Sequence, residues 1–477
     1  MLFNSIHFAL FLPFVFLIYW LLSKGKLKWQ NLFLLVASYF FYATWNWHFL
    51  FLLLFSTVLD FIAGIKIHQS SPKVKKVWLY LAIIINIGFL ALFKYYNFFA
   101  TSFAESLLKI GVKVDVVLLD IILPIGISFY TFHGLSYLVD VYNKKILPEK
   151  NFINYSLFVC YFPLLVAGPI ERATHLLPQI KTKRNFDSKN AVEGLMLIIW
   201  GFFKKLVIAD TLAIYVNTIF DNYQNQNSLT LILGAIYFSF QIYGDFSGYS
   251  DIAIGVSKLF GIELLKNFSF PYFSRDIAEF WRRWHISLSS WFRDYVYIPL
   301  GGSGGNTISK IRNIFIIFAL SGFWHGANWT FIVWGLLNAC YFLPLMLLNK
   351  NRKNIALLES KNNLPTLIDF LQMSLNFILI TIAWVFFRSK TIEDAVGYLS
   401  RIIKLNFHNP IEYLQTERYS PEPLFLIFVF LYFEWNSRQN LHPFYGKYKY
   451  VKIIFILLSI IALGAYSTPS KFIYFQF

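Results

Sequence analysis

Residues 313–349 have the sequence NIFIIFALSGFWHGANWTFIVWGLLNACYFLPLMLLN, a run of 37 residues without Asp, Glu, Lys or Arg. A helix that crosses a bilayer needs about 20 predominantly apolar residues, so this run can supply nearly two crossings. Further charge-free runs occupy residues 1–23, 31–59 and 77–93. The sequence therefore predicts an integral membrane protein that crosses the bilayer many times.

The composition of the whole chain agrees with this prediction. Of 477 residues, 57% are hydrophobic and only 14% are charged, whereas a soluble domain carries about 25% charged residues. The net charge of +17 would suggest nucleic-acid binding in a soluble protein. Here the lysines lie in short loops between apolar runs, as cytoplasmic loops require. Two such loops hold Lys24, Lys26 and Lys28, and Lys66, Lys73, Lys75 and Lys76. Nucleic acid is therefore excluded as a partner, and the lipid bilayer is expected.

The pattern of apolar runs predicts an all-α fold of about eleven transmembrane helices in a single domain over residues 1–477. Two of the expected spans cover residues 116–139 and 229–243. Residues 152–170 are apolar but contain two prolines and lie between basic stretches, so they predict a broken or re-entrant element. Aromatic residues at three- and four-residue spacing over 281–295 predict an interfacial helix.

His325 is the most conspicuous candidate for chemistry. It lies 13 residues after Arg312 inside the long charge-free run, which corresponds to about 20 Å of helical rise and therefore to the middle of the membrane. An ionisable side chain at that depth is costly and marks a functional site by default. The alternative is a neutral histidine that forms a hydrogen bond to a neighbouring helix.

His285 is a second candidate, within the stretch WRRWHISLS at 281–289. Taken alone, its position also suits an interfacial histidine, because imidazole combines an apolar body with a polar tip. The two histidines are separated by 40 positions. The spacing gives no indication that they meet.

Other polar motifs are less specific. The stretch GDFSGYSD at 244–251 places Asp245 beside a predicted span end, where it suits either a ligand contact or, more simply, a polar turn with a helix cap. The glycine-rich loop at 301–305 lacks the Lys-Ser/Thr pair of a phosphate-binding loop. Nowhere do histidines, cysteines and glutamates have the spacing of a zinc site. No metal site is therefore predicted.

Four stretches together carry a family resemblance. They are Tyr161 to Ile170, GDFSGYSD at 244–251, Arg275 to Gly302 with Trp-His-Ile-Ser-Leu-Ser, and SGFWHG at 321–326. The chain resembles the membrane-bound O-acyltransferases (the MBOAT family), in particular their bacterial alginate O-acetyltransferase branch. The resemblance spans the chain and is densest over residues 120–348.

The resemblance implies a ring of tilted, re-entrant and interfacial helices around a central tunnel. It implies that His325 is the essential catalytic histidine and His285 the second. The neutral form of histidine, with an ordinary pKa of about 6.5, suits a general base for acyl transfer to a hydroxyl group, and His285 would orient the donor or stabilise the oxyanion. The residues expected to bind substrate are Trp324, Arg282, Arg283 and Asp245.

The leading functional hypothesis is O-acetylation of an extracellular polysaccharide or another cell-envelope polymer, from the inner membrane of a bacterium. No bound cofactor is expected, because acetyl-CoA or another acyl thioester enters from the cytoplasm as a substrate. The resemblance also implies an extracytoplasmic partner of the hydrolase type. The alternatives are D-alanyl transfer to teichoic acid from a carrier protein, and a transporter, although the inverted repeats of a transporter are not evident.

Overall fold

The computed structural model describes residues 1–355, 364–406, 421–466 and 472–473. Every regular element in this part of the chain is helical, in agreement with the predicted all-α fold. The chain divides into two compact units. The first unit comprises residues 1–195 and 253–265, and the second comprises 196–252 and 266–477. The expected single domain over 1–477 stays a prediction.

The first unit begins with four long helices. Nine helices precede residue 188, namely α1 (Ile6–Leu22), α2 (Leu27–Ala43), α3 (His48–Gln69), α4 (Pro72–Leu90), α5 (Tyr96–Lys109), α6 (Ile127–Tyr142), α7 (Phe152–Cys160), α8 (Phe162–Ala167) and α9 (Ala173–Lys181). A π-helical segment, Ala91–Tyr95, joins α4 to α5 without a break. The longest apolar helix of this unit therefore runs from Pro72 to Lys109.

Helix α1 shows how these helices divide their surface. Its large exposed hydrophobic side chains recur every three or four residues, as expected of a helix face in contact with lipid. They are Ile6, Leu10, Phe14, Leu17 and Leu21. The opposite face is buried, and there Tyr19 donates a hydrogen bond to the carbonyl of Phe260 at 2.8 Å.

Two expectations about the first unit had different outcomes. The predicted break in residues 152–170 is confirmed, because α7 ends at Cys160 and α8 restarts after Tyr161 with Pro163 in its first turn. The predicted span over 116–139 is wrong at its start, since residues 112–124 are not helical and α6 begins at Ile127. The residue before α6 is Gly126, with a φ of 78°, which glycine adopts without the usual steric cost.

The remaining described helices begin at residue 188 and lie wholly or partly in the second unit. They are α10 (Ser188–Phe202), α11 (Asp210–Asp221), α12 (Ser228–Leu259), α13 (Ile277–Arg283), α14 (Ile286–Phe292), α15 (Thr307–His325), α16 (Trp329–Leu347), α17 (Leu367–Arg388), α18 (Ile392–Ile403), α19 (Glu422–Ser437) and α20 (Lys449–Leu463). A π-helical segment, Phe203–Ala209, links α10 to α11. Helices α10 and α12 both extend across the boundary between the two units.

The motif at 244–251 lies inside α12, so the prediction of a polar turn there is wrong. The predicted span over 229–243 is also wrong at its end, because the helix continues to Leu259. Helix α12 continues because its polar residues find partners within the second unit. Lys205 pairs with Asp245 at 2.9 Å, and Lys204 pairs with Asp251 at 2.6 Å. A Cβ on Gly248 would lie 2.8 Å from the carbonyl oxygen of Gly201, so glycine lets the two helix backbones approach closely.

Five described helices are long and apolar enough to cross a membrane. They are His48–Gln69, Pro72–Lys109, Ser228–Leu259, Trp329–Leu347 and Leu367–Arg388. Shorter apolar helices accompany them, among them α1. The chain is a multi-pass membrane protein, and the count of about eleven spans stays a prediction.

Candidate active site

His325 is the last residue of α15, at the turn of a helical hairpin. The chain leaves the helix through Gly326 in an extended conformation, and α16 begins three residues later under an Asn328 cap, whose side chain accepts a hydrogen bond from the backbone of Thr330 at 3.0 Å. The charge-free run therefore forms two helices. The histidine is almost completely buried, with 2% of its surface exposed.

Glycines bring the two arms of this hairpin together. A Cβ on Gly322 would collide with the backbone carbonyl of Phe331, and one on Gly335 with that of Phe318. Close approach of backbones through small residues is the usual means of packing helices in a membrane. The SGFWHG motif thus has a structural reason for its first glycine, independent of any substrate.

Aromatic side chains enclose the His325 ring. The centroid of Trp334 lies 5.0 Å away in an edge-to-face arrangement, that of Phe387 lies 5.3 Å away, and that of Trp324 lies 4.8 Å away. Trp334, Phe387 and Trp324 are themselves buried. The imidazole therefore occupies a site that strongly limits its contact with water.

His285 interrupts the helix that the sequence predicts over 281–295, so that prediction is wrong. Helix α13 ends at Arg283, Trp284 is extended, and His285 takes a left-handed conformation with φ 44° and ψ 54° before α14 begins at Ile286. The backbone N–H of Ile286 donates to the carbonyl of Asn267 at 2.8 Å. This contact with a preceding segment replaces the helical hydrogen bond and turns the histidine inward.

The His285 side chain is buried among uncharged groups. Its Nδ1 lies 2.9 Å from the side-chain oxygen of Asn267, and its ring packs against Phe246 at 4.6 Å between centroids. Burial lowers the pKa of His285 to about 3, because a low-dielectric surrounding disfavours the imidazolium form. The imidazole is therefore neutral at physiological pH.

Trp324 connects the two histidines. Its ring centroid lies 5.9 Å from that of His285 and 4.8 Å from that of His325. The three rings form a row, His285–Trp324–His325, within the second unit. Two histidines that lie 40 positions apart in the sequence therefore contact the same tryptophan side chain.

The other residues predicted to bind substrate hold protein partners. Two guanidinium nitrogens of Arg282 donate to backbone carbonyls, Nη1 at 2.9 Å to Asn351 and Nη2 at 2.7 Å to Asn354. Arg283 forms a buried ion pair with Glu279. Asp245 pairs with Lys205 and accepts a hydrogen bond from the backbone of Ile473 at 2.7 Å. Their assignment to substrate stays a prediction.

A cavity of about 650 Å³ approaches the row of rings within the second unit. Its wall includes Ser321, one helical turn before His325, and Ser289, whose backbone N–H donates to the carbonyl of His285 at 2.9 Å. Trp281 also lines it, with its ring 5.7 Å from that of Trp334. The remaining lining residues include Leu288, Phe292, Tyr297, Ile314, Ile317, Phe318, Phe342 and Met346.

The outer part of this cavity is basic. Arg293, Lys310 and Arg352 contribute to its lining, and the Arg293 and Arg352 side chains are exposed. Arg293 also forms an exposed pair with Asp294 at 2.7 Å. Such a cavity, apolar within and cationic at the mouth, matches a ligand with an apolar arm and an anionic head. The grouping of these three cations was not predicted from the sequence, because they lie in three separate segments.

A buried pair of histidines near an apolar cavity, in a polytopic helical protein, suits acyl transfer to a hydroxyl group within a membrane. The model of the membrane-bound O-acyltransferase family matches residues 11–387, and the chain belongs to that family. It is 39% identical over 394 residues to a probable alginate O-acetylase of Pseudomonas aeruginosa, with 82% of this chain and 72% of the relative covered.

Two further relatives extend the comparison. The peptidoglycan O-acetyltransferase of Helicobacter pylori is 38% identical over 437 residues, which cover 85% of this chain and 80% of the relative. The teichoic acid D-alanyltransferase of Streptococcus thermophilus is 31% identical over 287 residues, which cover 54% of this chain and 68% of the relative. All three names describe acyl transfer, and the chain is an acyltransferase.

Proposed function

We propose that this protein is an O-acetyltransferase of the bacterial inner membrane that takes acetyl groups from acetyl-CoA for modification of a cell-envelope polymer. The observation that carries the proposal is the row His285–Trp324–His325 beside a cavity with a basic mouth. The relatives with the longest matched stretches, named for alginate and peptidoglycan acetylation, support acetyl as the group transferred.

In the proposed reaction, the acetyl thioester lies at the end of the cavity near Ser289 and Ser321. His325 takes the proton of the acceptor hydroxyl while its oxygen attacks the thioester carbonyl, and collapse of the tetrahedral intermediate breaks the carbon–sulfur bond. The thiolate recovers the proton from His325 and leaves as free coenzyme A. The aromatic enclosure of His325 supports this role because it limits competing hydrolysis by water.

The acceptor hydroxyl is proposed to arrive from the other side of the membrane, on the polymer or on an extracytoplasmic hydrolase-like partner. Helix α15 supports this arrangement, because its basic residues Lys310 and Arg312 lie near its start and His325 is its last residue. Positively charged segments mark the cytoplasmic side. The donor and acceptor would thus meet at one imidazole from opposite sides.

A direct test uses the full-length protein in lipid nanodiscs with radiolabelled acetyl-CoA. Release of coenzyme A that depends on a hydroxylated acceptor supports the proposal, whereas no release with any polysaccharide or partner acceptor contradicts it. A parallel reaction with a D-alanyl carrier protein tests the alternative that the Streptococcus thermophilus relative suggests. The polymer that loses acetyl groups in a deletion strain identifies the acceptor.

Neutralising the cavity mouth is expected to weaken donor binding without slowing the chemical step. In a protein with Arg293→Gln, Lys310→Gln and Arg352→Gln, we expect the KM for acetyl-CoA to rise about 10-fold, because three exposed ion pairs contribute about 0.2–1 kcal/mol each. The kcat should change by less than about twofold. Steady-state kinetics at low ionic strength measure both constants, since salt screens these charges.

The matched control for the cavity mouth is Lys353→Gln, which removes a charge from the same loop at a position that does not line the cavity. Its KM should equal that of the unmodified protein. A triple variant whose KM for acetyl-CoA is unchanged would show that the donor phosphates bind elsewhere.

A further inference from the structure

Asn267 is fully buried, with 0% of its surface exposed, and contacts the His285 turn at several points. Its Oδ1 lies 2.9 Å from Nδ1 of His285 and accepts a hydrogen bond from the hydroxyl of Ser287 at 2.9 Å. Its Nδ2 donates to the hydroxyl of Ser250 at 3.1 Å. Its backbone carbonyl accepts from Ile286. One amide therefore links the motif at 244–251 to the second histidine.

We propose that Asn267 is a positioning residue that holds His285 in the tautomer with its proton on Nδ1. A carbonyl oxygen has no hydrogen to donate, so the hydrogen bond between these two atoms requires the proton on the imidazole. In a neutral ring the lone pair then belongs to Nε2, on the edge that faces away from Asn267. The inference rests on the proposed function, because it assigns this histidine a part in acyl transfer.

The surroundings of His285 keep the ring in this neutral form. Phe246 from α12, Phe268 from the segment before α13 and Trp324 from α15 pack on the ring, and these three side chains carry no charge. The low pKa described above agrees with this environment. The protein therefore controls which ring nitrogen of His285 carries the proton, while the ring stays neutral.

The backbone of His285 supports a positional role. A left-handed conformation costs a residue with a side chain about 1–2 kcal/mol, and such outliers persist where the surrounding contacts hold them. The two hydrogen bonds from residues 285 and 286 to Asn267 supply those contacts. A glycine at 285 would relieve the strain, whereas histidine at this position places an imidazole on the row of rings.

This tautomer decides between two roles for His285. A neutral ring with its proton on Nδ1 presents no N–H at Nε2, so it does not donate a hydrogen bond to an oxyanion. It accepts one instead. The substrate groups that fit are a hydroxyl of the acceptor or an amide N–H of the pantetheine arm, and no net proton transfer to His285 is needed.

The test compares two variants at residue 267 of the full-length protein in nanodiscs, with acetyl-CoA as the donor. We expect Asn267→Ala to lower the kcat for acetyl-CoA by about 10–100-fold, as for other residues that orient a functional histidine. Asn267→Asp keeps the acceptor atom but places a carboxylate beside Nδ1, which raises the pKa of His285. The acid limb of its pH–rate profile should therefore move to higher pH. A purely structural role would leave that limb in place.

The control is Asn376→Ala, which removes another buried amide, one that donates to the carbonyl of Ser274 at 3.1 Å. It should leave both kcat and the pH profile unchanged. Nitrogen-15 NMR of histidine-labelled protein, assigned by difference from a His285→Gln variant, reads the tautomer directly. A proton on Nε2, or an Asn267→Asp profile that matches the unmodified protein, would overturn the proposal.

The NMR measurement also separates this inference from the proposed function. If the protein released no coenzyme A with any acceptor, the function would fail. The tautomer of His285 and its loss in Asn267→Ala would still be measurable, and a proton found on Nδ1 would leave the positional role of Asn267 intact.

Discussion

Replacing His325 with alanine is expected to lower the kcat for acyl transfer by about 10²–10⁴-fold, the contribution that a general base usually makes. The imidazole is buried among Trp324, Trp334 and Phe387, so bulk water cannot easily substitute for it. Initial rates of coenzyme A release in nanodiscs measure the effect. The KM for acetyl-CoA should change little, because the cavity mouth is untouched.

Two controls make this result interpretable. His48→Ala removes an exposed histidine that stacks on Trp47 and should leave kcat unchanged. The thermal midpoint of His325→Ala should remain within a few degrees of the unmodified value, which excludes unfolding as the cause. A His325→Ala protein that turns over at the original rate would remove this residue from the mechanism.

An acyl-histidine intermediate is the alternative to general base catalysis at His325. The two mechanisms differ when the donor is supplied without an acceptor. A covalent mechanism labels the protein with radioactive acetyl groups in proportion to enzyme, and the label is absent from His325→Ala. General base catalysis gives no such label, which is the result we expect.

The second large effect concerns stability. Lys205 lies in the π-helical segment Phe203–Ala209 and pairs with Asp210 at 2.7 Å and with Asp245 at 2.9 Å, and all three side chains are buried. We expect Lys205→Met to cost about 3–5 kcal/mol, because it strands two buried carboxylates without their shared cation. The yield of monodisperse protein on size exclusion and its thermal midpoint measure the loss.

A rescue variant tests the stated cause of this instability. Adding Asp210→Asn and Asp245→Asn to Lys205→Met removes the stranded charges, and we expect most of the lost stability to return. The control is Lys390→Met, which breaks a pair with Asp221 in which both side chains are exposed and should cost less than about 1 kcal/mol. A triple variant as unstable as Lys205→Met would contradict the electrostatic explanation.

Much of the fold followed from composition. The charge-free runs predicted the all-α membrane class, and the two prolines of residues 152–170 predicted the break that separates α7 from α8. Helix boundaries were less predictable where polar residues lie within a span. The motif at 244–251 continues α12 because Lys204 and Lys205, about 40 positions earlier, neutralise its carboxylates, and no local signal announces that pairing.

Some residues of the candidate site could be predicted from the sequence and others could not. Its two histidines were identifiable, His325 from its depth in an apolar run and both from the family resemblance. Asn267 was not, because a single asparagine in the irregular segment between α12 and α13 has an ordinary local explanation. The basic mouth of the cavity was missed because Arg293, Lys310 and Arg352 come from three segments that only the folded chain brings together.

Membrane insertion depends on the summed transfer free energy of about 20 neighbouring residues, so the order of the residues alone was sufficient to assign this chain to the polytopic helical proteins. Proximity of side chains distant in sequence depends on how helices pack and where they break. The left-handed turn at His285, the hairpin end at His325 and the tryptophan between them exist only in the folded chain.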